Sequence, residues 1–297
     1  MSQLYERVSD TWLSITNPDE KVIMIKYVQM AKWKCISYIG YFCIGGSIFL
    51  NVTLIPVILD FVSPLNESRP RRLLTRAEYI FDPYDFYYEY FVYYGAAAAM
   101  TLSILAAADT TYNMIMHQIL GFFNIVKRRV YLSTKFPPKK EEEAYKTLVS
   151  AIQLHKESLE FVEVIESTYY LCLLLLIFNS GVLMSFGAVC IMEYSYDAID
   201  VIKCGLFEAG AALHLFYTSW SGQLVTDESI ELFQAIYMSE WYNSTKRMKT
   251  LMKIMMVRCI RPCYVTAGGL YIMNYENFGK FIKSTMSYIT VLASFRG

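Results

Sequence analysis

Residues 167–192 form an uninterrupted run without a single Asp, Glu, Lys or Arg, centred on residues 171–177 (LCLLLLI). A helix rises 1.5 Å per residue, and the hydrocarbon core of a bilayer is about 30 Å thick, so about 20 apolar residues suffice to cross it. This run is long enough. No soluble domain needs a stretch of this length with both faces apolar, so lipid is the expected solvent. Two further runs, 35–59 and 90–108, are also free of charge.

Two weaker segments complete the pattern. Residues 201–222 contain Lys203, Glu208 and His214, and residues 263–292 contain Glu276, Lys280 and Lys283. Charges at membrane depth are costly and face a bundle interior or a wet path. The expected fold is therefore all-α, a polytopic transmembrane bundle of about five spans over one domain, residues 1–297. Basic residues orient it. With those five spans, alternate connections carry 19 Lys/Arg against 5. Cytoplasmic loops hold the excess, which predicts the N-terminus inside and the C-terminus outside. The sequon at Asn66 falls in a predicted outer loop, that at Asn51 inside a span, and that at Asn243 on the inner side. The first 20 residues hold no apolar core of the length a cleavable signal peptide needs.

The inner connections show a helical rhythm of their own. Leu148, Ile152, Leu159, Val162 and Ile165 recur at helical spacing, as do Leu232, Ile236, Met248, Met252 and Met255. Such stripes predict helices that continue past the membrane face or pack beneath it. The run Lys139-Lys140-Glu141-Glu142-Glu143 after Pro137-Pro138 reads as a solvated turn before one of them.

Catalytic and metal chemistry finds no support. The 27 basic and 27 acidic residues balance, which argues against a nucleic-acid partner. No phosphate loop, metalloprotease, nucleophile-elbow or dinucleotide motif occurs. His117, His155 and His214 fall in three different segments, and the seven cysteines include no C-x-x-C pair. No enzyme activity, cofactor or metal is expected, and the cysteines read as small buried hydrophobes. Asp109 and His117 lie two turns apart on one predicted helix, and mark its inner end.

What remains is a cavity and a path. Residues 79–94 (YIFDPYDFYYEYFVYY) concentrate aromatics at the outer end of the second span. Such rings anchor a helix in the headgroup region, or wall an apolar pocket, and the two roles are compatible. In the last segment, Glu276 and Lys280 are spaced to pair on one helix face. Ser287, Val291 and Ser294 form one stripe there. A stripe of hydroxyls with one aliphatic group suits a narrow pore or close helix packing, and spacing alone slightly favours packing.

Several stretches resemble the insect odorant receptor family, particularly its hymenopteran branch. They are the aromatic loop ending Phe81-Asp82-Pro83-Tyr84-Asp85-Phe86, then Asp109 with His117 followed by Lys127-Arg128-Arg129, and the helix from Ser229 to Trp241 (SIELFQAIYMSEW). The C-terminal stretch adds Thr266-Ala267-Gly268, Asn277-Phe278 and Ser287-Tyr288-Ile289-Thr290-Val291-Leu292. The resemblance covers roughly residues 20–297. It implies a seven-span protein with an internal N-terminus and external C-terminus. The five spans here match the third to seventh, so the first two are expected to be missing, as in a truncated gene model, a short isoform or a degenerate copy.

The resemblance further implies a ligand-gated, non-selective cation channel in the plasma membrane of a sensory neuron dendrite, assembled as a hetero-tetramer with an obligate coreceptor. Volatile organic molecules would bind in the outer half of the bundle, where Tyr90, Tyr94 and Phe186 are plausible lining. Val291 and Ser294 match the family's pore-constriction positions, with Ser287 on the same stripe. Helices over about 229–260 would form the cytoplasmic anchor between subunits. A G-protein-coupled chemoreceptor would place its N-terminus outside. A secondary transporter would show an internal repeat, which is not seen, although Gly45-Gly46 and Gly268-Gly269 offer points where helices break.

Overall fold

The structure is a computed structural model describing residues 8, 11–65, 67–74, 82–193 and 198–294. The predicted features at Asn66, Tyr79 and Phe81 lie outside the described residues. Beyond a helical stretch at 11–14, the described residues include the helices α1 (Pro18–Val52), α2 (Ile55–Val62), α3 (Tyr87–Lys135), α4 (Glu141–Glu193), α5 (Ala198–Met238), α6 (Lys246–Cys259) and α7 (Tyr275–Ser294). A small hairpin, β1 (Thr266–Ala267) with β2 (Tyr271–Ile272), separates the last two.

Local chemistry sets the helix boundaries. Asn17 precedes α1 and accepts the Asp19 amide through Oδ1 at 2.9 Å. Pro18 occupies the first position, where its missing N–H costs nothing, and Asp19 and Glu20 meet the positive end of the helix dipole. Pro56 cannot donate to the preceding turn, so the chain breaks at Thr53–Leu54 and α2 starts afresh. A single turn at Pro138–Lys140 leads into Glu141–Glu143, again acidic residues in a first turn. The Gly45-Gly46 pair does not interrupt α1.

Gly268 and Gly269 do interrupt the chain, with φ of 64° and 66°. Side chains with a Cβ rarely adopt that conformation, and here it turns β1 back on β2. The predicted span 263–292 is therefore helical only from Tyr275. Its first twelve residues are apolar enough to score as membrane, but the two glycines and the β1–β2 pairing hold them as a hairpin.

The chain divides into two compact units. The first comprises residues 1–33, 112–181 and 214–284. Its core is dense: Met24, Met116, Ile119, Phe122, Phe123, Leu148, Ile165, Leu215 and Met252 are all essentially inaccessible. The rhythm read from the inner connections is this core, since Leu148, Val162, Ile165, Leu232, Ile236, Met248, Met252 and Met255 all face into it.

Polar staples reinforce the first unit. Glu228 of α5 accepts from Tyr27 of α1 at 3.0 Å, from Asn124 of α3 at 2.9 Å and from Lys127 of α3 at 2.5 Å. Burial, then the Glu228 charge, pushes the Tyr27 phenol up. Arg129 holds Glu20 through Nε and Nη2, both at 2.7 Å. At the hairpin, Gly222 of α5 lies so close to the Met273 carbonyl that an added Cβ would come to 2.2 Å. Thr266 hydrogen-bonds Glu166 of α4, and Thr226 donates to the Cys263 carbonyl at 3.0 Å.

The second unit comprises residues 34–111, 182–213 and 285–297. It is built on a different principle. Ile44, Phe61, Val92, Met100, Ile104 and Phe186 all point outward. Among the described residues three helices, α1, α3 and α4, are long and apolar enough to cross a membrane. In the most apolar 18-residue window of α3 none of the residues is buried, and in that of α1 only 11% are. An apolar surface of this size is stable only against lipid.

Candidate ligand recess and pore-stripe helix

The loop into α3 turns on Asp82, whose Oδ1 accepts the Tyr84 amide at 2.9 Å. The aromatic run then enters the helix, where residues three and four apart share a face. Phe86, Glu89, Tyr90 and Tyr93 follow that spacing and line a recess of about 400 Å³. Three walls are aromatic and one carries a carboxylate. The Tyr94 ring stacks on Tyr90 with centroids 6.4 Å apart, and Tyr93 meets Tyr94 edge-on at 5.4 Å. Of the three predicted ligand residues, Tyr90 lines the recess and Tyr94 only stacks on that ring, outside the lining. Phe186, on α4, is exposed and is not among the recess residues.

Residues that sequence reasoning passed over fix this end of α3. Arg71 lies over both the Tyr87 and Tyr88 rings, at 5.4 and 5.5 Å. The Tyr87 hydroxyl donates to the Thr53 carbonyl at 3.3 Å, at the α1–α2 break. Farther along α3, Asp109 accepts from the Tyr38 hydroxyl of α1, in a buried contact. No linear spacing announces such pairs, because their partners lie far apart in the chain.

A second polar feature lies between α4 and α5. Glu208 occupies the space a side chain at Gly187 would fill, and its Oε1 is buried without a hydrogen-bond partner. In the first unit, a larger cavity of about 660 Å³ runs past Asn17, Glu20, Arg129 and Ser150. Two of its charged walls, Glu20 and Arg129, are paired with each other, and Arg129 also donates to the Ser150 carbonyl at 3.3 Å.

On α7 the stripe residues Ser287, Val291 and Ser294 are all exposed. Ser294 Oγ donates back to the Val291 carbonyl at 2.7 Å, and Thr290 Oγ1 to the Ser287 carbonyl at 2.8 Å. The Ser294 and Thr290 hydroxyl protons are thus spent within the helix, which leaves the lone pairs of those two oxygens free to accept. Lys280 pairs with Glu276 at 2.6 Å.

His155 and Cys259 form a buried pair in the first unit. His155 packs on Phe123 with ring centroids 6.2 Å apart, and its Nε2 lies 3.9 Å from the Cys259 sulfur. Burial, then Arg258, holds the imidazole down at about 4, while burial pushes the thiol up to about 12. Neutral imidazole beside protonated thiol is not an activated nucleophile. Among the described residues no three His, Cys, Asp or Glu side chains are grouped to hold a metal ion.

Long helices with unburied apolar stretches define a multi-pass helical membrane protein, and an aromatic recess lies at one end of α3. Comparison with known proteins narrows this. The sequence profile described as "7tm Odorant receptor" matches residues 1–286. The chain belongs to the 7tm odorant receptor family.

Among relatives, Odorant receptor 33a of Drosophila melanogaster is 24% identical over 220 residues, covering 72% of this chain and 58% of the relative. Odorant receptor 33b of the same fly is 25% identical over 67% of this chain and 53% of its own length. The chain thus spans about half the length of these curated relatives. The insect olfactory receptor OR5 of Machilis hrabei has the same fold. Its structure superposes with a TM-score of 0.77 at 15% identity, covering 98% of this chain and 74% of that one. Its complex with eugenol superposes at 0.75 and 15% identity, covering 93% and 70%.

Proposed function

We propose that the chain is an odorant receptor subunit, which binds small volatile organic molecules and gates a non-selective cation channel together with a coreceptor. The family match across residues 1–286 carries this reading. The aromatic recess at Tyr90 gives it a place for a ligand of the size of eugenol, the molecule bound by the solved relative. Tyr90 and Tyr94 supply stacking surface, and Phe186 is a separate contact on α4. Val291, Ser294 and Ser287 line the ion path, and α7 is the helix that each subunit contributes to it. Residues 35–59, 90–108, 167–192, 201–222 and 275–292 cross the plasma membrane with the N-terminus inside, and residues 229–260 form the cytoplasmic anchor of a hetero-tetramer.

Gating on this reading is a population shift. A ligand stabilises the open arrangement only by the difference between its affinities for the open and closed states. Co-expression with the coreceptor in cells lacking both, followed by whole-cell recording against an odorant panel that includes eugenol, tests it. The expected result is a ligand-dependent current carried equally by sodium and potassium. Silence across the panel, with the subunit labelled at the cell surface, would overturn the proposal.

A further inference from the structure

In the second unit, the recess at the start of α3 has a composition that discriminates among ligands. Phe86, Glu89, Tyr90 and Tyr93 line it. The Tyr90 amide donates to the Phe86 carbonyl at 3.0 Å, so the helical register already holds at Phe86. Residues spaced by three and four in that register stand on one helix face. The faces of Phe and Tyr rings carry negative charge density and attract cations. With three such rings stands the exposed Glu89 carboxylate, and among the described residues no Lys or Arg pairs with it. Rings at this end of α3 already hold one cation, since the Arg71 guanidinium lies over Tyr87 and Tyr88 at 5.4 and 5.5 Å. Glu89 also sits in the first turn of α3, where a negative charge meets the positive end of the helix dipole. That role accounts for the carboxylate alone, and leaves the three rings that share its recess without a purpose.

We propose that the recess selects organic ammonium ions, the protonated forms of volatile amines, with Glu89 as the charge partner and the Phe86, Tyr90 and Tyr93 rings as the cage. The inference deepens the reading of this recess as a ligand site and rests on it. A small alkyl amine ionises near the Lys side chain, at about 10.4. It is neutral in the vapour and charged once dissolved near neutral pH. A neutral alcohol of the same shape gains neither the ring faces nor the carboxylate as charge partners. A carboxylate ligand meets Glu89 as a like charge, which disfavours it.

The test is calorimetric titration of the full chain in detergent with three probes of nearly one shape: 2-phenylethylamine, 2-phenylethanol and phenylacetic acid. At pH 7 the amine should bind about ten-fold tighter than the alcohol, with the acid weakest. In Glu89→Gln the advantage of the amine over the alcohol should shrink to about two-fold, and Tyr93→Leu should also reduce it. Equal affinities for amine and alcohol overturn the proposal, as does an advantage undiminished in both variants, and so does a folded chain that binds no amine. Whole-cell recording with the coreceptor separates this from failure of the receptor reading. Currents evoked by the alcohol and not by the amine refute ammonium selection and keep the receptor. Amine binding that depends on Glu89, with no current from any probe, keeps the recess assignment and counts against the receptor.

Discussion

Glu228 accepts hydrogen bonds from three side chains on two helices, and its removal should be costly. In Glu228→Ala the Lys127 ammonium, whose side chain is 16% exposed, keeps only the more exposed Glu231 at 2.9 Å. Leaving a half-buried charge short of its partner costs on the order of 2 kcal/mol. Thermal unfolding in detergent should register the loss, and the pair Lys127→Met with Glu228→Leu should recover most of it. His155 gives a pH dependence. Its folded-state value of about 4 lies below the ordinary 6.5, so the unfolded chain binds the proton more readily between those limits. Stability is then full above pH 6.5 and falls as the pH drops toward 4, by at most about 3 kcal/mol. A melt series from pH 7.5 to 5 checks this, and His155→Phe should flatten the slope. At Val291, substitution by Lys should alter conductance or cation selectivity of the complex with the coreceptor. Unaltered currents would remove Val291 from the ion path.

Among elements, the hairpin between α6 and α7 is the most constrained. Gly222→Ala places a methyl group against the Met273 carbonyl, a backbone atom that cannot rotate away. A cost of about 1–3 kcal/mol is expected, read as a lower melting temperature or poorer recovery as a single species from detergent. Gly268→Ala meets both a positive φ and the Leu174 side chain, and should be at least as damaging.

The long helices were legible in the sequence because an apolar run and a helical rhythm are both local signals. The 148–165 rhythm and the 167–192 run are one helix, α4. The start of the last helix was not legible. Hydropathy cannot distinguish an apolar hairpin from an apolar helix, and the deciding contact, Gly222 against Met273, joins two positions with all of α6 between them. The recess was half legible. Tyr90 and Tyr94 are neighbours on one face, whereas Arg71 and Thr53, which hold that end of α3, reach it from other segments.

At the scale of the whole molecule, the two units divide the labour of burial. The first hides its Phe, Leu and Met side chains within protein, while the second turns Ile, Val and Phe outward. Extraction should therefore require detergent, and diluting detergent below its micellar concentration should precipitate the protein. Orientation has its own test. An epitope at the N-terminus should be silent to antibody on intact cells and visible after permeabilisation, while one at the C-terminus should be visible on both. The reverse pattern would favour a receptor of the G-protein-coupled type.

The paired glycines at the hairpin also bear on how movement travels along the chain. A continuous helix behaves as a stiff shaft, and turning one end turns the other. Here the helical ladder of backbone bonds stops at Cys259 and resumes at Tyr275, with the β1–β2 hairpin between. Rotation of α7 about its axis is not passed to α6 as torque. Only a push or pull survives the corner, delivered through the Met273 backbone that packs on Gly222 of α5.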